Sequence, residues 1–338
     1  MTDATGRDIH EASDNQPLLF ERFTVLKTLG YGAGAAVYYV GDARRPGRRF
    51  ALKILTDQAA FDEHTLERFR REFEVCRGIA HPNLVEAFEL IESDEGLAFT
   101  MEYVDGENLG QMLARVGGDE AGINAILHQV LGALAELHRR DIVHRDIKLE
   151  NILIRRDGTL KLCDLGLMKH LGKAGFTRAG VLLGTAQYLP PEYIFKQRYD
   201  LRGDIYALGI ATFELSLGRR YLAGMSGNEA MQRLMDRKFT LPREDLERIP
   251  SSLRKVVEQA ADPNPAERFQ SALEMLEAVK AGDTEDPPPR RPVLSPPPPS
   301  VEPAWISTAA RRWRGWKAYL AAAAIAFTAV GIALRLLF

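Results

Sequence analysis

Asp146, Asn151 and Asp164 are the residues whose types and spacing could do chemistry together. The first two lie in IVHRDIKLENIL, residues 142–153, and the third in its continuation IRRDGTLKLCDLG. Asp157-Gly158 is a strong hairpin-turn signal, and Ile152–Ile154 and Leu160–Cys163 read as its two strands. A two-residue turn pairs positions that sum to 315, setting Asn151 directly across from Asp164. An amide oxygen and a carboxylate meeting this way are hard ligands suited to Mg²⁺, which takes one or two protein oxygens and completes its shell with phosphate and water. Asp146, five residues before Asn151, brings a second carboxylate to the same space. A lone Asp would read as a solvated turn or a helix cap. Here the cluster of His144, Arg145, Asp146, Lys148 and Glu150 stands at the entrance of a strand, where a metal and a reacting group would be held.

The rest of the chain supplies the elements that must position these groups. Its 338 residues, 46% hydrophobic and 27% charged, suffice for one large domain or two lobes with real cores. A formal net charge of −2 removes the usual compositional support for a nucleic-acid partner, and none is expected. Cys76 and Cys163 sit in separate apolar runs and read as buried reduced thiols. Residues 1–20 read as a polar, disordered tail in solvent, without a secretory pattern. Strand-like runs follow at Phe23–Leu29, Ala36–Val40, Arg49–Leu55 and Leu97–Met101, interrupted by one helical stretch. After about Leu109 the period lengthens: Ile123, Ile126, Leu127, Val130, Leu131, Leu134 and Leu137 fall on one helical face, with further helices at Ile205–Leu217 and Leu273–Val279. The expectation is an α+β chain in two lobes, a small, mostly β N-lobe over about residues 21–103 and a larger, mostly α C-lobe over about 104–280.

Near Asp286 the composition turns to PPPRRPVLSPPPPSVEP, so 281–310 reads as a Pro-rich, semi-rigid extended linker. Beyond it, Ala318–Leu334 is an uncharged run of 17 residues, about 26 Å as a helix at about 1.5 Å per residue. Arg335 lies beyond it, and Arg311, Arg312, Arg314 and Lys317 lie before it. Residues 318–338 are therefore expected to span a membrane as a C-terminal transmembrane helix, with the basic side cytoplasmic. The competing expectation is a helix that docks on a partner or lies in the interface.

HRDxKxxN followed by a hairpin and DLG resembles the signature set of the protein kinases, with Leu165 where that set has Phe. Other segments fit the same family in the family's order. LGYGAGAAVYYV, Leu29–Val40, resembles the Gly-rich loop over the ATP phosphates, with Gly30, Gly32 and Val37 in place and Ala35 at the third Gly position. FALKIL puts Lys53 where the family's phosphate-binding lysine stands. Its partner is chosen by helix geometry: Leu66, Phe69, Phe73 and Cys76 make an apolar stripe with Glu72 at its margin, while Glu74 points away. By resemblance Met101 is the gatekeeper, the backbone of Glu102 to Val104 faces adenine, and Leu29, Val37, Ala51 and Leu153 contact the nucleotide. GTAQYLPPE resembles the end of an activation segment, Arg268 the structural partner of Glu192, and Asp204 the aspartate that braces the catalytic loop.

What the resemblance implies is a bilobal protein-kinase-like fold over residues 21–280. The implied activity is ATP-dependent phosphorylation of protein Ser and Thr hydroxyls, the serine/threonine branch being indicated by Lys148 and Thr185. Asp146 would be the catalytic base, with Lys148, Lys53 and Glu72 as its catalytic companions. Asn151 and Asp164 would be ligands of Mg²⁺, with Mn²⁺ as an alternative. Arg145 implies activation-loop phosphorylation, Thr177 first and Thr185 second. The compact domain, linker and hydrophobic segment resemble bacterial eukaryotic-like serine/threonine kinases, a membrane-held cytoplasmic kinase for which a homodimer is an allowed assembly. Three other readings stand beside this one: a pseudokinase acting as a nucleotide-binding membrane scaffold, a small-molecule phosphotransferase of related fold, and an interaction protein that offers PPPP to a proline-binding domain.

Overall fold

A computed structural model of the chain describes residues 18–32, 34–56, 63–165, 186–236 and 240–283. The chain divides into two compact units, Met1–Pro292 and Val293–Phe338, and every described residue belongs to the first. Alternating apolar and polar residues make strands β1 (Phe23–Tyr31), β2 (Ala35–Asp42) and β3 (Arg49–Leu55). Helix α1 (Glu63–Gly78) follows, then β4 (Ala87–Ser93) and β5 (Gly96–Met101). The five strands form one antiparallel sheet in the order β1-β2-β3-β5-β4. Its two faces are covered differently. Phe69 and Phe73 of α1 pack with Phe99, Leu55, Leu97, Ala87 and Ala35 on one side, while Phe23, Val40, Leu52 and Ala98 close under Phe20 on the other.

A second antiparallel sheet, β6 (Gly106–Asn108), β7 (Ile152–Arg155) and β8 (Leu160–Leu162), is interrupted in sequence by α2 (Leu109–Val116) and α3 (Glu120–His138). Asn108 begins α2 with a reciprocal capping box to Gln111, and Asp119 caps α3. The whole stripe expected on α3, Ile123 to Leu137, is buried. Five helices follow: α4 (Pro191–Lys196), α5 (Leu201–Leu217), α6 (Gly227–Leu234), α7 (Arg243–Leu246) and α8 (Ser251–Ala260). The last described element is α9 (Ala272–Asp283). Helix α5 is buried on every side from Gly203 to Ser216, capped by Asp200 at its start and stopped by Gly218 at φ 68°. It forms the centre of the C-lobe, with α3 and α8 packed on it.

The two-lobed α+β architecture is the one expected, with one corrected register. The turn at Asp157-Gly158 has three residues in its loop, not two. Arg155 N–H donates to the Thr159 carbonyl at 2.9 Å, Gly158 takes φ 83°, and the strands pair as Ile152 with Leu162 and Ile154 with Leu160. The Asp157 carboxylate accepts from Thr159 N–H at 2.8 Å, which draws Asp157 into the bend and leaves the left-handed position to the glycine. Asn151 consequently lies across from Cys163, whose N–H donates to the Asn151 carbonyl at 3.0 Å, and Asp164 is one residue further on. Both cysteines are free thiols, half-buried where buried ones were expected.

Among the described residues no helix is long and apolar enough to cross a membrane. The segment 318–338, residues 1–17 of the tail, and the acceptor candidates Thr177 and Thr185 lie outside the described residues.

Candidate active site

Lys53 stands on β3, flanked in the sheet by Val37 on β2 and Phe99 on β5. Its ammonium is bonded to Glu72 Oε1 at 2.6 Å and to Asp164 Oδ1 at 2.9 Å. Three elements thus converge on one cation: the N-lobe sheet, helix α1, and the end of β8. The margin position of Glu72 turns its carboxylate inward, and the residue is 2% exposed. Burial alone would lower the Lys53 pKa, but the carboxylates of Asp164 and Glu72 outweigh it and hold the amine charged. The same Lys53 charge draws Asp164 down to about 2 against the opposing effect of burial. At Glu72 burial wins and the carboxyl is raised despite Lys53.

The loop that carries Asp146 is held from below by Asp204 at the start of α5. Asp204 Oδ2 accepts the His144 N–H at 2.8 Å, and Oδ1 accepts the Arg145 N–H at 2.9 Å and the Tyr199 hydroxyl at 3.1 Å. His138 Nε2 lies 3.0 Å from Oδ2. These contacts fix Arg145 in the left-handed region at φ 65°, a conformation costly for a side chain of this size. Asp146 is 8% exposed. Its Oδ2 accepts from the Asn151 amide at 2.8 Å and pairs with the Lys148 ammonium at 3.2 Å, and its carbonyl accepts the same Asn151 amide at 2.9 Å. Burial lowers the His144 pKa, and the ring's Nδ1 accepts from the Asp146 N–H at 3.3 Å.

The donor set fits a divalent cation. With its NH₂ spent on Asp146, Asn151 keeps its amide oxygen as the remaining polar atom, while Asp164 is ionised and its side chain is 36% exposed. Both are hard oxygens at the mouth of one ribbon. The backbone is open beside Gly30 and Gly32. A Cβ built on Gly30 would meet nothing within 4 Å, and one on Gly32 would meet only the Ala35 carbonyl at 3.7 Å. The protein's own packing therefore does not require these glycines, whereas close approach of a ligand to backbone does. Ala35 is itself 8% exposed within the cluster under α1, so the methyl in place of the third glycine faces the N-lobe core. Leu165 likewise is buried; with Cys76, Phe99 and Met101 it lines a cavity of about 20 Å³, room for about one water.

The remaining expected residues lie on strands of the two sheets and on the segment between β5 and β6. Ala51 is buried and paired with Met101, while Leu153 lies on β7 in register with Lys161, half-buried like Val37. Leu29 is 40% exposed near the end of β1. Glu102 donates its N–H to the Glu86 carbonyl at 2.8 Å, so of its backbone only the carbonyl is left for a ligand. Its carboxylate is held by Arg155, and by Lys161 at 2.8 Å. Val104 follows, buried. Sequence reasoning missed Tyr39 and Tyr103, whose rings stack at 3.9 Å beside the segment joining the lobes. They sit one on β2 and one past β5, and no local spacing could have linked them. Away from the cleft, Arg268 makes two 2.8 Å bonds to the Glu192 carboxylate.

Comparison with known proteins gives an independent result. A family model described as the protein kinase domain matches residues 23–279. The serine/threonine-protein kinase PknL of Mycobacterium tuberculosis is 34% identical over 283 residues, 82% of this chain and 70% of PknL. PrkC of Bacillus subtilis, a serine/threonine-protein kinase, is 32% identical over 267 residues, 78% of this chain and 41% of PrkC. Among solved structures, the PknI kinase domain of Mycobacterium tuberculosis superposes with a TM-score of 0.57 at 29% identity, covering 77% of this chain and 95% of that one.

Proposed function

This chain belongs to the protein kinase family and is an ATP-dependent protein serine/threonine kinase, and we propose a division of labour among its residues. Asp146 takes the proton of the substrate hydroxyl as that oxygen bonds to the γ-phosphorus of ATP and the bond from the phosphorus to the β–γ bridging oxygen breaks, with ADP as the leaving group. Asn151 and Lys148 hold that carboxylate in one orientation, and Lys148 faces the charge that develops on the transferred group. Lys53 positions the α- and β-phosphates, and Glu72 positions Lys53. The family uses a divalent metal. We assign it as Mg²⁺ held by Asn151 and Asp164, where it would neutralise phosphate charge. Leu29, Val37, Ala51, Met101 and Leu153 enclose the base, with the Glu102–Val104 backbone at its edge.

One observation carries this reading. Lys53 bridges Glu72 and Asp164 across the two lobes at 2.6 and 2.9 Å, so the phosphate-binding charge and the metal-binding carboxylate are already assembled. The complete set of charged groups also disfavours a pseudokinase. The Asp146→Asn chain is expected to lose about 10²- to 10⁴-fold in transfer of labelled phosphate to protein while binding nucleotide as before. Turnover like that of the unaltered chain would reject Asp146 as the base.

The membrane tether belongs to the same proposal. Residues 318–338, with basic residues before them, anchor a cytoplasmic kinase domain through the Pro-rich linker. Activation proceeds by autophosphorylation of the activation loop, with Thr177 the first candidate acceptor and Thr185 the second, the acceptor phosphate pairing with Arg145.

A further inference from the structure

Glu150 lies on the loop of Asp146 and Lys148, with its side chain 44% exposed. Arg220, in the turn after α5, reaches it through Nη2. The other terminal nitrogen, Nη1, donates to Glu214 Oε2 at 2.8 Å and to the Tyr188 hydroxyl. Glu214 is wholly buried on α5; it also accepts the Tyr188 hydroxyl at 2.5 Å and the Tyr221 N–H at 3.2 Å. Helix α2 comes close as well. A Cβ on Gly110 would lie 2.8 Å from Arg220 Nη2 and 3.3 Å from Glu150 Oε1, so the glycine leaves the guanidinium its place over the first turn of α2. One cation therefore joins the catalytic loop, the start of α2, the centre of the C-lobe, and Tyr188 from the segment before α4.

The two carboxylates are not equivalent. Glu214 is bonded to Tyr188 and the Tyr221 N–H as well as to Arg220, and burial raises its carboxyl. Glu150 is exposed, and among the described residues Arg220 is the cation bonded to it. An exposed carboxylate four residues from the catalytic base, on the same loop, would recruit a guanidinium or ammonium from a substrate chain whose acceptor hydroxyl lies at Asp146. Here the position is filled by a tethered group that an incoming cation must displace, and like charge opposes its approach.

We propose that Arg220 is a specificity-determining residue: it fills from within a cation subsite formed by Glu150, Glu214 and Tyr188, so that the enzyme does not select protein substrates bearing Arg or Lys beside the acceptor Ser or Thr. This rests on the assignment of Asp146 as the base, which locates the acceptor. Neutral or acidic flanks are the substrates that suit the filled site.

The test is a positional peptide library phosphorylated by the full chain. The unaltered enzyme is expected to show no enrichment for Arg or Lys at any position flanking the acceptor. Arg220→Ala should gain about 10-fold preference for Arg at one such position, the scale of a hydrogen bond to a charged group. Combining it with Glu150→Gln should cancel the gain. Glu150→Gln alone releases Arg220 and should bring a several-fold preference for Asp or Glu at that same position, and it carries the test if Arg220→Ala does not fold. Basic selection by the unaltered enzyme overturns the proposal. So does a loss of rate in both variants that is equal on every peptide, the mark of a purely structural brace. An unaltered chain inactive on all peptides would instead sink the catalytic reading on which this one stands.

Discussion

Asp164 holds two unfavourable states at once, a left-handed backbone at φ 57° and an ionised carboxylate that burial disfavours. The Lys53 ion pair is the interaction available to offset both. Because the Asp164 pKa falls to about 2 on folding, its contribution is complete above the ordinary carboxylate range and is lost as pH drops through about 2. Glu72, raised by burial, gives the opposite trend, so the two must be separated by substitution. The stability difference between the unaltered chain and Asp164→Asn should be constant from about pH 7 to 5 and shrink below about pH 4, as measured by urea unfolding at each pH. A difference that grows on acidification would show that Asp164 is not held ionised by Lys53. At this scale much could be read in advance. Glu72 was separable from Glu74 because helical period fixes which side chain turns inward. Nothing local disclosed Tyr39 against Tyr103, because stacking across distant strands leaves no trace in neighbouring residues.

Among the elements, α3 shows most directly how period becomes packing. Its stripe from Ile123 to Leu137 is buried, and Leu127 is fully enclosed. Leu127→Ala should cost about 2–5 kcal/mol, the removed transfer energy plus a residual cavity, read as a lower urea midpoint with unchanged slope. The strands were visible where alternation was long. Strand β4 (Ala87–Ser93) was not anticipated, since AFELIES mixes exposed and half-buried residues along a sheet edge. Three-residue β6 was too short to show any period. The hairpin was found but displaced by one residue, because Asp-Gly serves two-residue and three-residue loops alike and the Asp157 bond to Thr159 decides between them. Its consequence is functional: the slip moves Asn151 opposite Cys163, and its amide is spent on Asp146.

Across the whole molecule, two lobes share few covalent connections but meet at Lys53 and Asp164, and a linker and hydrophobic segment follow in sequence. The tether proposal predicts that the full chain sediments with membranes and that a chain ending at Pro303 stays in the soluble fraction with its kinase activity intact. A full chain that remains soluble, unaltered by the truncation, would end the spanning reading. Within the C-lobe the enclosed helix α5 has a further consequence. From Gly203 to Ser216 every residue is buried, so a deuteron is expected to replace an amide proton there only when the surrounding lobe comes apart. The slowest-exchanging protons of α5 thus serve as a built-in gauge of global opening, against which any loosening around the nucleotide cleft can be timed.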